Sequence, residues 1–338
     1  MTQGDSQAPL EGRELIAKLL EARYVTSLLT ALIRLEIPEQ LAAGPKTVAE
    51  LASAVGAKEW ALERALQAAA NVGLVGARSD GRYETTATLD VVRADAQDLL
   101  RDVLLAQAAD WHLRAWGALD WSIRTGRPAS FKHYGVSMWE WLEKNPEDAT
   151  AFNRLMTRLS TDHCTAVVDA YDFSPFSHIV DVAGGAGRML ASILARHTNA
   201  RGTLFDLPRV IDVAKASTLL APFSDRCTFV GGSFFDGVPQ GADAYLLKHI
   251  LHDWDAETAA TLLTNIRRAM KPGGVVLVAE RVFDRKDNAH LLLDIEMLTI
   301  AGGLERTEAQ WRALFDSCGL ELKRIIPTSS ELSILEAG

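Results

Sequence analysis

Gly184, Gly185 and Gly187 stand in Ala183-Gly184-Gly185-Ala186-Gly187, directly after the run His178-Ile179-Val180-Asp181-Val182. A buried strand that turns through glycines into a helix lets backbone approach a ligand with no Cβ in the way. Asp206 closes the next apolar run, Thr203-Leu204-Phe205-Asp206. A carboxylate at that point can accept both hydroxyls of a ribose cis-diol. The loop continues Gly185-Ala186-Gly187-Arg188-Met189-Leu190 and so lacks the last glycine of the dinucleotide fingerprint G-x-G-x-x-G. The chemistry these residues support is the binding of a nucleoside-type cofactor at a strand's end.

Such a site needs strands alternating with helices. Apolar runs at Thr203–Asp206, Cys227–Val230, Ala244–Leu247 and Val275–Ala279 follow the first strand. Helical segments lie between them, at Met189–His197, Val210–Leu220 and Ala256–Met270. A helix at Glu308–Ser317 precedes a last strand pair, Leu320–Ile326 and Glu331–Leu335. This order predicts a doubly wound, mostly parallel α/β sheet with ligands at the carboxyl ends of its strands.

Before residue 171 the chain reads as helix. Glu11–Leu35 carries apolar residues on more than one helical face, Thr47 is an N-cap for Val48–Val55, and Glu59–Val72 follows. Asp80-Gly81 between two short extended runs marks a hairpin. Helix, turn, helix and hairpin make a winged helix. Six basic residues against seven acidic ones between Lys46 and Asp95, with an Ala- and Leu-rich second helix, oppose nucleic-acid binding and favour packing or dimerisation. Gln97–Thr125 and Ser137–Ala170 read as further helices. With Trp60 they hold six of the eight tryptophans, fillers of a core or the floor of a cavity for a flat ligand. The organisation expected is 1–100 as a winged-helix-like dimerisation domain, 101–170 as a helical linker lining the substrate, and 171–338 as a cofactor-binding catalytic domain.

Composition narrows the function classes. A formal charge of −9 argues against a general nucleic-acid binder. No apolar run approaches the length of a membrane span. Three scattered cysteines, Cys164, Cys227 and Cys318, suit a reducing cytoplasm.

At Leu247-Lys248-His249-Ile250-Leu251-His252-Asp253-Trp254-Asp255 the sequence resembles the S-adenosylmethionine-dependent class I O-methyltransferases of the plant caffeate and bacterial polyketide type. Asp181–Gly187 resembles their D-V-G-G-G-x-G loop and Phe205-Asp206-Leu207-Pro208-Arg209-Val210 their F-D-L-P-x-V strand end. Gly232-Ser233-Phe234-Phe235 stands where they have G-D-x-F, and Gly302-Gly303-Leu304-Glu305-Arg306-Thr307 resembles G-G-x-E-R-T. Two departures are visible. Ala183 replaces the first loop glycine, where a methyl group is expected to be tolerated, and Ser233 replaces an aspartate that faces the adenine.

The resemblance implies a Rossmann-like catalytic sheet with an antiparallel last strand behind an all-α winged-helix dimerisation domain. It implies S-adenosyl-L-methionine as cofactor and no metal. Methyl transfer would go to a hydroxyl of an aromatic small molecule, with His252 as general base of pKa near 7, flanked by Glu280 and Glu305. It places Asp181, Gly184, Gly185, Asp206, Leu207, Ser233, Phe234 and Lys248 at the cofactor, and Met156, Asp253, Met297 and Ile300 at the acceptor. It also implies a homodimer through the N-terminal helices. For Glu280 a salt bridge to Arg281 or Arg285 is the structural alternative. Relatives turned to hydroxylation or decarboxylation, and a winged-helix ligand sensor, are the competing functions.

Overall fold

The computed structural model describes residues 12–284 and 291–338, apart from the side chains at 147, 150, 151, 153, 154, 157 and 158. Its contacts divide the chain into two units, Met1–Asp110 and Trp111–Gly338.

In the first unit α1 (Gly12–Arg34), α2 (Ile37–Ala42), α3 (Val48–Val55) and α4 (Glu59–Asn71) precede an antiparallel pair, β1 (Gly76–Ala77) and β2 (Tyr83–Glu84). The region is helical apart from these two-residue strands, and the hairpin expected at Asp80-Gly81 is present. Asp80 Oδ1 accepts the Arg82 N–H at 3.2 Å, and Gly81 sits at φ 79, a conformation glycine adopts without steric cost. Thr47 caps α3 as expected. Its hydroxyl accepts the Glu50 N–H, and the Glu50 carboxylate returns to the Thr47 N–H at 2.7 Å. Leu32 and Ile33 of α1 are buried with Ile37, Leu41, Leu51, Leu66 and Leu89. The amino-terminal part of the same helix leaves Leu15, Ile16, Leu19, Leu20 and Tyr24 exposed, by 46 to 72%. The surplus apolar arc read from the sequence therefore has no cover among the described residues of its own unit; Glu11 lies outside the described residues.

The helical stretch expected at Gln97–Thr125 consists of Leu100–Gln107, Asp110–Trp116 and Leu119–Thr125, the one at Ser137–Ala170 of Met138–Lys144 and Pro146–Ala170, and a short helix Ser130–Tyr134 lies between them. Gly126 and Gly135 end two of them in the left-handed region, and Pro146 starts the last. These are the residue types that stop and start helices.

Seven strands follow: β3 (His178–Val182), β4 (Arg201–Asp206), β5 (Cys227–Gly231), β6 (Ala244–Lys248), β7 (Val275–Glu280), β8 (Leu322–Pro327) and β9 (Ser333–Ala337). Their order is β5-β4-β3-β6-β7-β9-β8, parallel except that β9 runs antiparallel to β7 and β8. Alternate residues pack on opposite faces. Val180, Val182, Tyr245, Leu247, Val276 and Val278 meet the helix Ala256–Ala269, and Ile179, Leu246, Leu277 and Ala279 meet Val167, Phe173 and Ile193. The chain grows from β3 outward to β5, then returns to β6 on β3's other side. The switch point between β3 and β6 is where a doubly wound sheet opens a crevice at its carboxyl edge. The glycine loop leaves β3 there, and the segment 249–255 leaves β6. No described helix is long and apolar enough to cross a membrane.

Candidate active site

His252 sits in a short 3-10 turn, Leu251–Asp253, one step beyond the end of β6. Two buried ions of opposite sign hold that turn. Glu280, the last residue of β7, is fully buried, and its Oε1 accepts the N–H groups of Ile250, Leu251 and His252 at 2.8, 3.0 and 3.4 Å. Arg306, 2% exposed, donates to the carbonyls of Leu251 and Trp254 at 2.6 and 2.7 Å and lies over the Trp311 ring. An anion at the amide end and a cation at the carbonyl end satisfy groups that a one-turn helix cannot pair internally. A third strand of chain closes on the turn, since the Leu304 N–H donates to the His252 carbonyl at 2.9 Å.

The imidazole is oriented by Glu305. Its Oε1 lies 2.9 Å from His252 Nδ1, and the Glu305 N–H is itself held by Asp294 Oδ1 at 2.9 Å. With Nδ1–H donating to a carboxylate, Nε2 carries the lone pair, which is the tautomer a general base needs. Asp253 Oδ1 stands 3.6 Å from Nε2, and Glu280 Oε2 stands 3.7 Å from Nδ1. Burial disfavours the imidazolium, but Glu280, Asp253 and Glu305 outweigh it and lift the His252 pKa to about 9. Burial likewise pushes Asp253 up to about 7, against the pull of His252, and raises Glu280. The expected base of pKa near 7 is therefore corrected upward. Three carboxyl groups around one ring are the cause.

Glu280 makes no bridge to Arg281, which pairs instead with Glu331 at 2.7 Å; Arg285 lies outside the described residues. His249, read from the sequence as a structural histidine, packs beside His252. Its backbone is left-handed at φ 55, and its ring stacks on His252 with centroids 5.2 Å apart. The edge-on ring of His163 lies 5.0 Å from it, and burial with the neighbouring cations holds His249 well below its usual pKa.

The glycine loop at the end of β3 fits a ligand with a ribose. Gly184 could carry no side chain, because a Cβ would lie 2.5 Å from Leu204 and 2.6 Å from Asp181. Gly185 is left-handed and donates its N–H to Asp206 Oδ2 at 2.9 Å, while Asp206 Oδ1 accepts the Leu207 N–H at 2.7 Å. Each Asp206 oxygen keeps one acceptor site. Burial raises the Asp206 pKa. Asp181 is 1% exposed; its Oδ2 has no partner, and burial lifts its pKa to about 7. An orphaned carboxylate oxygen beside a glycine cradle is what a polar ligand would satisfy.

Ala183, by contrast, sits at φ 55. The methyl group is accommodated, but the left-handed conformation costs an alanine about 1–2 kcal/mol that a glycine would not bear. Ser233 spends an acceptor site on the Phe235 N–H at 3.2 Å and keeps its O–H as a donor. Phe234 packs edge-on to Phe235 and Trp254, and Asn265 pins the carbonyls of both phenylalanines. Leu207 is exposed, and Lys248 ends β6.

On the acceptor side, Met297 and Ile300 lie in a single π-helical turn, Met297–Ala301, a form frequent at functional sites. The Met297 carbonyl accepts the N–H groups of Gly302 and Gly303 at 2.7 and 3.2 Å, which ties this turn to the His252 turn through Leu304. Ile300, Trp111, Tyr134, Met138 and Trp141 line an apolar void of about 10 Å³. That is room for one water at most, so an aromatic ring would have to part these side chains. Next to Met297, Glu296 accepts from His112 Nε2 at 2.7 Å and from the Trp116 indole N–H, contacts the sequence did not announce. Met156 is exposed on the helix Pro146–Ala170, whereas Ile300 is buried. Trp60 is exposed on α4 and floors no cavity in its own unit. Among the described residues no group of three or more His, Cys, Asp or Glu is arranged to hold a metal ion.

Comparison with known proteins places this geometry in a family. An O-methyltransferase domain matches residues 116–321, and an O-methyltransferase dimerisation domain matches residues 17–91. The chain is 34% identical to the phenazine O-methyltransferase PhzM of Lysobacter antibioticus, over 100% of this chain and 99% of that protein. The structure of the mitomycin 7-O-methyltransferase MmcR superposes with a TM-score of 0.91 at 34% identity, over 96% of this chain and 97% of that one. NcsB1, an O-methyltransferase of neocarzinostatin biosynthesis solved with S-adenosylmethionine and 2-hydroxy-5-methyl naphthoic acid, gives 0.83 at 35% identity over 92% and 95%. The similarity also extends to a protein with a different reaction. The aclacinomycin 10-hydroxylase RdmB of Streptomyces purpurascens is 36% identical over 85% of this chain and 79% of its own length. With its domains matched on both units and relatives aligned along nearly all of its length, the chain belongs to the O-methyltransferase family.

Proposed function

We propose that the protein transfers the methyl group of S-adenosyl-L-methionine to a hydroxyl oxygen of a small aromatic molecule of secondary metabolism, with His252 as the general base. The observation that carries this reading is the orientation of His252. Its Nδ1 is pinned by Glu305, which makes Nε2 the nitrogen that gives up and takes the proton, on a turn that leaves the switch point of the sheet. Asp206 would hold the ribose, and the Gly184–Gly185 loop with Asp181, Leu207, Ser233, Phe234 and Lys248 would hold the rest of the cofactor. When bound, S-adenosylmethionine supplies a methyl group already activated by its sulfonium.

The chain's own task is then to deliver an oxyanion. A phenol of pKa about 10 is mostly protonated at neutral pH. His252 Nε2 takes that proton as the oxygen attacks, and the imidazolium is stabilised by Glu305 at Nδ1 and by the charge of Glu280. Asp253, beside Nε2, fixes the approach of the hydroxyl, and Met156, Met297 and Ile300 are the proposed walls for its ring. The exposed apolar face of α1 supports a homodimer, with the N-terminal helices reaching the partner's acceptor pocket. No metal takes part in this scheme, and the three free cysteines support a reducing cytoplasm as its setting.

The test incubates pure protein with methyl-labelled cofactor and a panel of phenols, naphthols and hydroxyquinones. A product heavier than its acceptor by one methylene, with label on oxygen, is expected. The similarity to RdmB keeps hydroxylation as a second reading, and in a parallel incubation under air with an added thiol reductant a product heavier by one oxygen and free of label, with water as the other product, would establish it instead. Light scattering on the same preparation should give the dimer mass, and a monomer would remove the dimer from this account.

A further inference from the structure

His249 stands on strained backbone. Its φ of 55 puts a non-glycine residue in the left-handed region, between the end of β6 and the turn that carries His252. Strain of this kind persists where the surrounding structure over-determines it, and it gathers at functional sites. What the conformation presents here is a ring face. The His249 and His252 imidazoles stack with centroids 5.2 Å apart and planes within 18° of parallel. From the helix Pro146–Ala170, the ring of His163 meets His249 edge-on, at 5.0 Å and 87°. His163 is fixed in turn, since its Nε2 lies 2.9 Å from Glu331 Oε1, which also accepts from Arg281 at 2.7 Å.

Three rings in file are not a proton relay. Stacked rings show each other their faces, whereas a proton passes between nitrogens in the ring plane. His249 Nε2 is shielded from solvent and has no hydrogen-bond partner. Burial, then His252, Lys248, His163 and Arg281, hold His249 well below the usual histidine pKa, so the ring stays neutral. The surroundings of His252 act the other way. Burial disfavours its cation, but Glu280, Asp253 and Glu305 outweigh that, and Arg306 binds the turn only through its carbonyls. A neutral aromatic face laid against a ring that gains a positive charge attracts the charged form more than the neutral one.

We propose that His249 is a positioning residue for the methyl transfer: its neutral ring backs one face of His252, steadies the imidazole that Glu305 holds at Nδ1, and stabilises the imidazolium once the hydroxyl proton has arrived. The proposal rests on the reading of His252 as the base. It gives the strained residue before the turn a task that no hydrogen bond at its Nε2 performs.

Nuclear magnetic resonance of the full-length protein, with carbon-13 at histidine Cε1, tests the stack without reference to activity. The His252 and His249 signals are identified by their absence from His252→Ala and His249→Phe. In the wild type, His252 should titrate near pH 9 while His249 stays neutral throughout. His249→Leu should lower the His252 midpoint by about half a pH unit or more. His249→Phe restores a ring face on the same backbone and should keep the midpoint within about a quarter of a unit of wild type. The pH at which kcat/KM levels should move with the midpoint in each protein. Equal His252 midpoints in wild type and His249→Leu, or equal falls in His249→Leu and His249→Phe, would overturn the proposal. So would a His249 signal that titrates with that of His252, a result that needs no variant to fold. A midpoint that moves while the kinetic profile stays in place would instead overturn the reading of His252 as the base, with the stack left standing.

Discussion

Replacing His252 by alanine is expected to lower kcat by about a hundredfold or more, the contribution usual for a positioned general base. The affinity for S-adenosylhomocysteine should stay within about twofold, because the turn is held by backbone groups. Glu280 accepts main-chain N–H bonds and Arg306 donates to main-chain carbonyls, and none of these contacts uses the imidazole. The variant leaves Glu305 and Glu280 without the ring they face, so some loss of thermal stability should accompany it. Steady-state kinetics together with calorimetry separate the two effects. Wild-type turnover in a folded His252→Ala protein would remove His252 from the base role.

A comparable loss is expected from a change that touches no ionisable group. Gly303→Ala would place a Cβ 1.9 Å from the carbonyl oxygen of His252 and 2.5 Å from the carbonyl carbon of Asp253. Both are backbone atoms inside the turn that presents the imidazole, so the turn itself must move. A displacement near 1 Å at the reacting centre costs on the order of a hundredfold in rate. The fall should appear in kcat, with circular dichroism and S-adenosylhomocysteine affinity near those of wild type, since the glycine loop and Asp206 lie on other strands. Unimpaired turnover would show that the 303 segment does not set the position of His252.

Much of the sheet was readable because its signals are local. The strand–loop–helix unit from His178 to Arg196, the Thr47 capping box and the Asp80-Gly81 turn each announce themselves within a few residues. The helical stretches Gln97–Thr125 and Ser137–Ala170 are each broken into shorter helices, and within the second Pro146 marks the start of the last one. The candidate catalytic residues were legible by resemblance, but their mechanics were not. That Glu280 accepts three amides of the 250–252 segment depends on β7 lying beside β6, a pairing no window of sequence contains. Arg306 was read only as part of a motif, and its clamp on Leu251 and Trp254 again joins segments about fifty residues apart. The basicity of His252 escaped for the same reason. A pKa near 7 is reasonable for a histidine with one carboxylate partner, and the fold surrounds this one with three. At Ala183 the sequence showed the extra methyl group but not the left-handed backbone that carries it.

The central claim is that His252, raised by Glu280, Asp253 and Glu305, removes the proton of the acceptor hydroxyl. The dependence of kcat/KM on pH for wild type and His252→Ala, with one phenol of pKa about 10, tests this most directly. At pH 7 a base of pKa about 9 is only about 1% unprotonated, so the wild-type value should climb about tenfold per pH unit and level near pH 9. In His252→Ala the levelling near pH 9 should be lost, and a much lower activity should instead rise with the acceptor's own ionisation until about pH 10. A wild-type profile flat from pH 6 to 9, or profiles of equal height that level at the same pH in both proteins, would contradict the assignment of His252 as the base.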